Sequence, residues 1–213
     1  MLHVRCAFAL LILPLLGCPA GPTRTTGSSP HADVEIPVPE FKLVERSGKT
    51  VTRDDLKGKV WVASFVFTRC SGPCPQVTRT MAQLQKELNL SETPDLRLVT
   101  FTVDPDKDTP DELRRYAANF RADPDHWLFL TGLPEAELHK LLKDGFKVTA
   151  QRSASQKPGD EFDHSSRLVV VDKQGSIRGY YDGIRPATAA DAQAEFDENL
   201  NRLKSKVAEL LKE

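Results

Sequence analysis

Residues 60–76, "VWVASFVFTRCSGPCPQ", restrict this chain more than any other segment. The first eight are apolar, β-branched or aromatic with hardly a polar break, the pattern of a strand buried on both faces. Beyond the cysteines the apolar residues recur at a different spacing. Val77, Met81, Leu84 and Leu88 fall on one helical face, and Pro75 suits the first helical turn, where its missing N–H costs nothing. The segment predicts a buried strand, a tight turn and a helix, with Cys70 in the turn and Cys74 at the helix N-terminus.

The rest of the chain alternates in the same way. "FKLVERSGKTV" reads as a hairpin around Ser47 and Gly48,. Residues 96–103, "LRLVTFTV", predict a second buried strand, followed by the loop "DPDKDTP". Thr109, Pro110 and Glu112 carry a capping signature for a helix running to about Phe120,. "HWLFL" predicts a strand, and residues 134–144 a helix with Leu138, Leu141 and Leu142 inward. "RLVVVD" and "SIRGYYDG" form a second hairpin across Lys173, Gln174 and Gly175. Residues 189–212 read as a final amphipathic helix buried through Phe196, Leu200, Leu203 and Val207,. Alternating strands and helices define an α/β chain. A cysteine pair between strand and helix points to a thioredoxin-like fold: a central mixed β-sheet flanked by helices, with an N-terminal hairpin.

The N-terminus has another character. Residues 6–16, "CAFALLILPLL", are apolar, too short for a membrane span of about 20 residues and suited to the core of a secretory signal peptide. "LLGC" at residues 15–18 resembles a bacterial lipobox, in which Cys18 becomes the lipidated first residue of the mature chain. Residues 1–17 are thus expected to be a signal peptide and 18–40, rich in Pro, Gly, Ser and Thr, a lipidated flexible tether,. Residues 41–213 form the globular domain. The expected location is extracytoplasmic, in a bacterial cell envelope, with a lipid anchor to a membrane. Net charge is −1, from 29 basic and 30 acidic residues, so there is no basic excess for nucleic acid.

Of four cysteines, Cys6 leaves with the signal peptide and Cys18 is blocked by lipid. Only Cys70 and Cys74 remain, outside the cytoplasm, where thiols tend to oxidise. A pair so close in sequence closes too small a loop to staple a domain, so its use is chemical. A helix N-terminus offers unsatisfied N–H groups and about half a positive charge. Both cysteine pKa values are therefore expected to fall. Thiolate serves disulfide exchange and metal binding alike, so this does not choose between them. Spacing does more. Oxidoreductases of the thioredoxin type carry two intervening residues; here three give both sulfurs room to face one ion. Two thiolates suit Cu(I) or zinc, and a third donor is expected from elsewhere.

Five histidines could supply it. His3 lies in the signal and His31 in the tether. His139 is expected on the exposed side of a helix, and His126 as a satisfied or surface side chain. His164, ahead of a buried strand in "GDEFDHSSRLVVVD", is the candidate, because such a strand end lies beside the cysteine turn in a thioredoxin-like layout. Asp104, Asp106 and Asp108 alternate like a calcium loop, but Thr109 and Arg115 occupy the positions that need Gly and Glu,. Asp104 and Asp163 are candidates for orienting a ligand from behind.

"FVFTRCSGPCPQ", "TVDPDKDTPDELRRYA" and "DHSSRLVVVDKQGSIRGYYDG" together closely resemble the Sco/SenC family of copper metallochaperones, over residues 41 to about 196. The family pattern is C-x-x-x-C-P followed, about ninety residues on, by a histidine in an Asp-His-Ser or Asp-His-Thr setting. Cys70, Cys74 and His164 match it. The resemblance implies a thioredoxin-like fold, binding of Cu(I) and Cu(II) by those residues, and a part in assembling the binuclear copper site of cytochrome c oxidase. The implied partner is the copper-binding subunit of that oxidase or another copper protein. Ser71 stands where many relatives have proline. No proline precedes "HSSRLVVV" as the cis-proline of a general reductase would; the nearest is Pro158. The leading reading is a copper-binding chaperone rather than a turnover enzyme. The alternative is a thiol–disulfide oxidoreductase that reduces cysteine pairs of a copper-receiving protein. A peroxidase is disfavoured, since Phe67 stands where a Thr or Ser is required. His164 separates the first two, since only metal binding needs it.

Overall fold

The computed structural model describes Met1 and residues 34–155, 157–185 and 191–213. The expected signal peptide and Cys18 lie outside the described residues. The fold starts ahead of the expected boundary at Phe41. Ile36–Pro37 is a short strand, β1, and Val38, fully buried, donates its N–H to the Gly175 carbonyl. An apolar Ile-Pro-Val run inside a Pro-rich stretch hid this contact from composition.

In chain order β2 (Lys42–Glu45) and β3 (Thr50–Thr52) make the expected hairpin. Gly48, at φ +86°, adopts the left-handed turn conformation that glycine takes without steric cost. β4 (Val60–Val66) leads to α1 (Cys74–Glu87), β5 (Leu96–Thr102), α2 (Pro110–Asn119) and β6 (Trp127–Thr131). Helix α3 (Glu135–Lys140) passes into one wider π turn at Leu141–Gly145. Then come β7 (Ala150–Arg152), β8 (Phe162–His164), β9 (Arg167–Val171), β10 (Ser176–Asp182) and α4 (Ala192–Leu210). Thr109 caps α2 by accepting from the Glu112 N–H. Only half of a capping box forms, because the Glu112 carboxylate pairs with Arg115.

Among the described residues eight strands make one sheet in the order β1-β10-β9-β4-β5-β6-β2-β3. The β4–β5–β6 centre is parallel and its flanks antiparallel, so the sheet is mixed, as expected of a thioredoxin-like α/β fold. Every residue of β4 is buried, which requires cover on both faces. On one face Trp61, Phe65, Phe101 and Phe146 form an aromatic cluster with centroid separations of 5.0–6.4 Å, spacings at which rings pack favourably. On the other, Ser64 and the Trp127 indole meet the Thr100 hydroxyl, each at 2.9 Å. β7 and β8 form a separate two-stranded sheet. Among the described residues no helix is long and apolar enough to cross a membrane.

Candidate metal centre

The site grows from the C-terminal end of β4. There the chain turns, with the Cys70 N–H donating to the Phe67 carbonyl at 3.2 Å. Asp108 fixes the entrance of the turn. Its carboxylate accepts from the Thr68 N–H (3.1 Å), the Thr68 hydroxyl (2.6 Å) and the Thr102 hydroxyl (2.5 Å). Asp108 is fully buried, and burial raises its pKa, with the hydrogen bonds from Thr102 and Thr68 pulling the other way. Sequence reasoning weighed this residue only as a calcium ligand. Its signal was a pair of threonines at the ends of two adjacent strands, Thr68 and Thr102, that need a shared acceptor.

Cys74 is the first residue of α1. Its side chain points inward and is 0% exposed, whereas Cys70 on the turn is 8% exposed. The Cys74 sulfur accepts from the Phe67 N–H and the Cys70 sulfur from the Gly72 N–H, both at 3.4 Å. Both cysteines are free. Their acidities diverge. The Cys70 thiol is lowered to about 4, chiefly through the neighbouring Cys74 thiol, with His164 and backbone N–H groups adding to it against the cost of burial. Cys74 moves up, because burial outweighs the helix N-terminus and Cys70 already carries the negative charge. The expectation that both would fall fails for Cys74: a group at a helix N-terminus gains from the dipole only as far as it keeps its charge solvated.

His164, the last residue of β8, brings Nε2 to 3.1 Å from the Cys74 sulfur. Its Nδ1 lies 3.2 Å from the Ser165 carbonyl oxygen. With the proton on Nδ1 donated there, the Nε2 lone pair faces the sulfurs. Phe67 packs edge-on against the ring at 5.6 Å. One donor atom from each of Cys70, Cys74 and His164 lies within 4.8 Å of the others. Metal–sulfur and metal–nitrogen bonds of about 2.3 and 2.0 Å put two donors on one ion about 3.5–4 Å apart, so a small contraction suffices. Cys70 and His164 line an open cleft of about 610 Å³, together with Pro158, Gly159 and Phe162, and Cys74 is buried behind them.

Neither candidate aspartate bonds to these donors: His164 Nδ1 meets the Ser165 carbonyl and Asp104 meets Arg69. Asp163 is exposed between buried Phe162 and half-buried His164. It lies on the rim of the same cleft, and the Ser165 carbonyl takes the place behind the imidazole. Asp104, 2% exposed, holds the Arg69 guanidinium at 2.6 Å. His139 is half-buried, not exposed, with Nε2 2.7 Å from the Val103 carbonyl oxygen. His126 is satisfied by Asp123 at 3.0 Å.

A thioredoxin-like domain with two cysteine sulfurs and one imidazole converging at the end of its central strand is the class defined here. The chain belongs to the SCO1/SenC family, whose model matches residues 30–196. It is 35% identical to the SCO1 protein homolog of Bacillus subtilis over 147 residues, 69% of this chain and 74% of that protein. Among solved structures it is similar to a SCO1/SenC family lipoprotein of Bacillus anthracis (29% identity, 83% and 96% coverage, TM-score 0.66). It is also similar to BsSco, described as having a disulfide switch and as a member of the Sco family of cytochrome c oxidase assembly proteins (31%, 82% and 95%, 0.66). A third is ScoI of Bradyrhizobium japonicum with copper bound (25%, 77% and 99%, 0.60).

Proposed function

We propose that this protein is a membrane-tethered, extracytoplasmic copper-binding chaperone that delivers copper to, or prepares the copper site of, cytochrome c oxidase. The observation that carries the reading is the convergence of Cys70, Cys74 and His164 within 4.8 Å. Two sulfurs are soft donors for Cu(I); an added imidazole nitrogen suits Cu(II). Copper is here cargo, and with two of its three ligands, Cys70 and His164, on an open cleft it stays reachable. Copper-bound ScoI and the oxidase-assembly role named for BsSco support the choice of metal and recipient. The tether rests on the lipobox at residues 15–18, with the Bacillus anthracis lipoprotein as support. Residues 1–17 act as signal peptide and Cys18 as the lipid-bearing residue.

A second reading, a thiol–disulfide oxidoreductase acting on the cysteines of a copper-receiving protein, draws on the free Cys70 and Cys74 pair and the low pKa of Cys70. Copper titration of the reduced protein, with and without His164→Ala, distinguishes them. On the chaperone reading the variant loses a stable Cu(II)–thiolate absorption band and retains weaker Cu(I) binding. A cell carrying it then fails to assemble oxidase under limiting copper. Normal oxidase activity in that cell, beside a dead Cys70→Ala cell, selects the reductase.

A further inference from the structure

The cysteines and the histidine belong to different pieces of the fold. Cys70 and Cys74 follow β4 of the eight-stranded sheet, while His164 ends the separate β7–β8 pair. Something must hold the hairpin against the turn, and Arg69 stands at the junction. Its Nη2 lies 2.6 Å from Asp104 Oδ2, at the end of β5, and its Nη1 3.5 Å from Glu161 Oε1, just ahead of β8. Both acidic residues have further contacts in their own segments. The Asp104 N–H donates to the Thr102 hydroxyl at 3.0 Å, and its carbonyl accepts from the Asp108 N–H at 2.8 Å. The other oxygen of Glu161 accepts the Gly159 N–H at 2.9 Å, and its carbonyl accepts from the Ser153 N–H across the hairpin at 2.9 Å. Beside this ion triad the Ser71 N–H donates to the Gly159 carbonyl at 3.2 Å.

The geometry points to Arg69 as a positioning residue that clamps the His164 hairpin onto the cysteine turn, with Asp104 as the fixed anchor and Glu161 as the movable jaw. A planar guanidinium offers several donors in a rigid fork, so it reaches two carboxylates at once; a lysine ammonium has no such geometry. Its side chain is 47% exposed, and that of Glu161 22%, so the jaw contact is partly screened and weakens with salt. Loosening it frees the nitrogen ligand and leaves the two sulfurs in place. Arg69 thereby acts selectively on the half of the site that Cu(II) needs. This function for the clamp rests on the copper reading above; the clamp itself does not.

The test uses Glu161→Gln, which keeps an acceptor for the Gly159 N–H and removes only the charge, and Arg69→Lys, which keeps a cation for buried Asp104. Arg69→Met is avoided because it leaves that carboxylate unpaired. In the metal-free protein, hydrogen exchange of the Ser71 amide is expected to quicken about fivefold in both variants, the scale of one partly screened ion pair, with no further gain in the double variant. In the copper-loaded protein, release of Cu(II) to a chelator speeds up by a similar factor while Cu(I) affinity holds. Wild-type release accelerates with added sodium chloride, and the variants lose that dependence. Unchanged Ser71 exchange in both variants overturns the clamp. Faster exchange with unaltered Cu(II) release overturns the positioning role. Faster exchange in a protein that binds no copper at all upholds the clamp and sinks the metal reading instead.

Discussion

Ser71 and Gly159 approach so closely that a β-carbon on Gly159 would lie 2.6 Å from the Ser71 hydroxyl oxygen and 2.9 Å from its Cβ. Gly159 also sits at φ +87°, which an alanine adopts at a cost of roughly 1 kcal/mol. Gly159→Ala is therefore expected to lower stability by about 1–2 kcal/mol and to push the His164 hairpin outward, with a weaker Cu(II)–thiolate band. Adding Ser71→Gly removes two of the three close contacts and should recover the band in part. Urea midpoints and the visible spectrum of wild type, Gly159→Ala and the double variant check this.

The unequal cysteines predict unequal chemistry. With the Cys70 thiol lowered to about 4, alkylation of the reduced, metal-free protein at Cys70 should stay flat from pH 6 to 9, where an ordinary thiol gains about tenfold per unit below a pKa of about 8.5. It should fall only in acid, as the thiolate protonates. Cys74, buried and shifted upward, should resist modification until the protein is unfolded. Mass spectrometry after brief iodoacetamide exposure at each pH tells the sites apart. Faster labelling of Cys74 than Cys70 contradicts the assignment.

Asp108 gives stability a pH dependence of the less usual sign. Burial raises its carboxyl pKa in the folded state, so its contribution is full below the ordinary aspartate value and is lost as pH rises through the raised one. An asparagine amide in place of Oδ1 can donate to the Thr68 hydroxyl, while the retained oxygen keeps the Thr68 N–H and the Thr102 hydroxyl. Asp108→Asn should fold, and its stability relative to wild type should improve from pH 4 to pH 8. Denaturant midpoints at both pH values decide it, and a variant that loses ground toward pH 8 refutes the raised pKa.

Most of the fold was legible because period decides it. The buried runs at residues 60–66 and 96–102 became the centre of the sheet, and the stripe Val77, Met81 and Leu84 became the buried face of α1. The convergence of Cys70, Cys74 and His164 was legible through motif and strand position. Four things were not. β1 is two residues held by long-range pairing to β10, without a local pattern. The inward turn of Cys74 depends on packing, which reversed the expected pKa. Asp163 adjoins His164 in sequence and Asp104 ends a neighbouring strand, but the Ser165 carbonyl meets the imidazole and Arg69 engages Asp104. The links of Arg69 to Asp104 and of Thr68 to Asp108 span 35 and 40 residues, so no local pattern announces them.

The anchor has its own test. Cys18→Ser should move the protein from the membrane fraction to a soluble extracytoplasmic one, since a lipid would be its apolar anchor. Persistence with membranes after the substitution would indicate an uncleaved leader.

The two sulfurs differ in reach as well as in acidity. Cys74 is sealed at the back of the site and Cys70 is on its lip, so an ion held between them has one open side. On the proposed chaperone function, a recipient's ligand would come from the lip, and the bond to Cys74 would be the last to break. Transfer acquires a fixed direction in the frame of the protein. Because the approach would run through a concave cleft, that function favours a recipient with its ligands on a protruding loop over one whose own site is recessed.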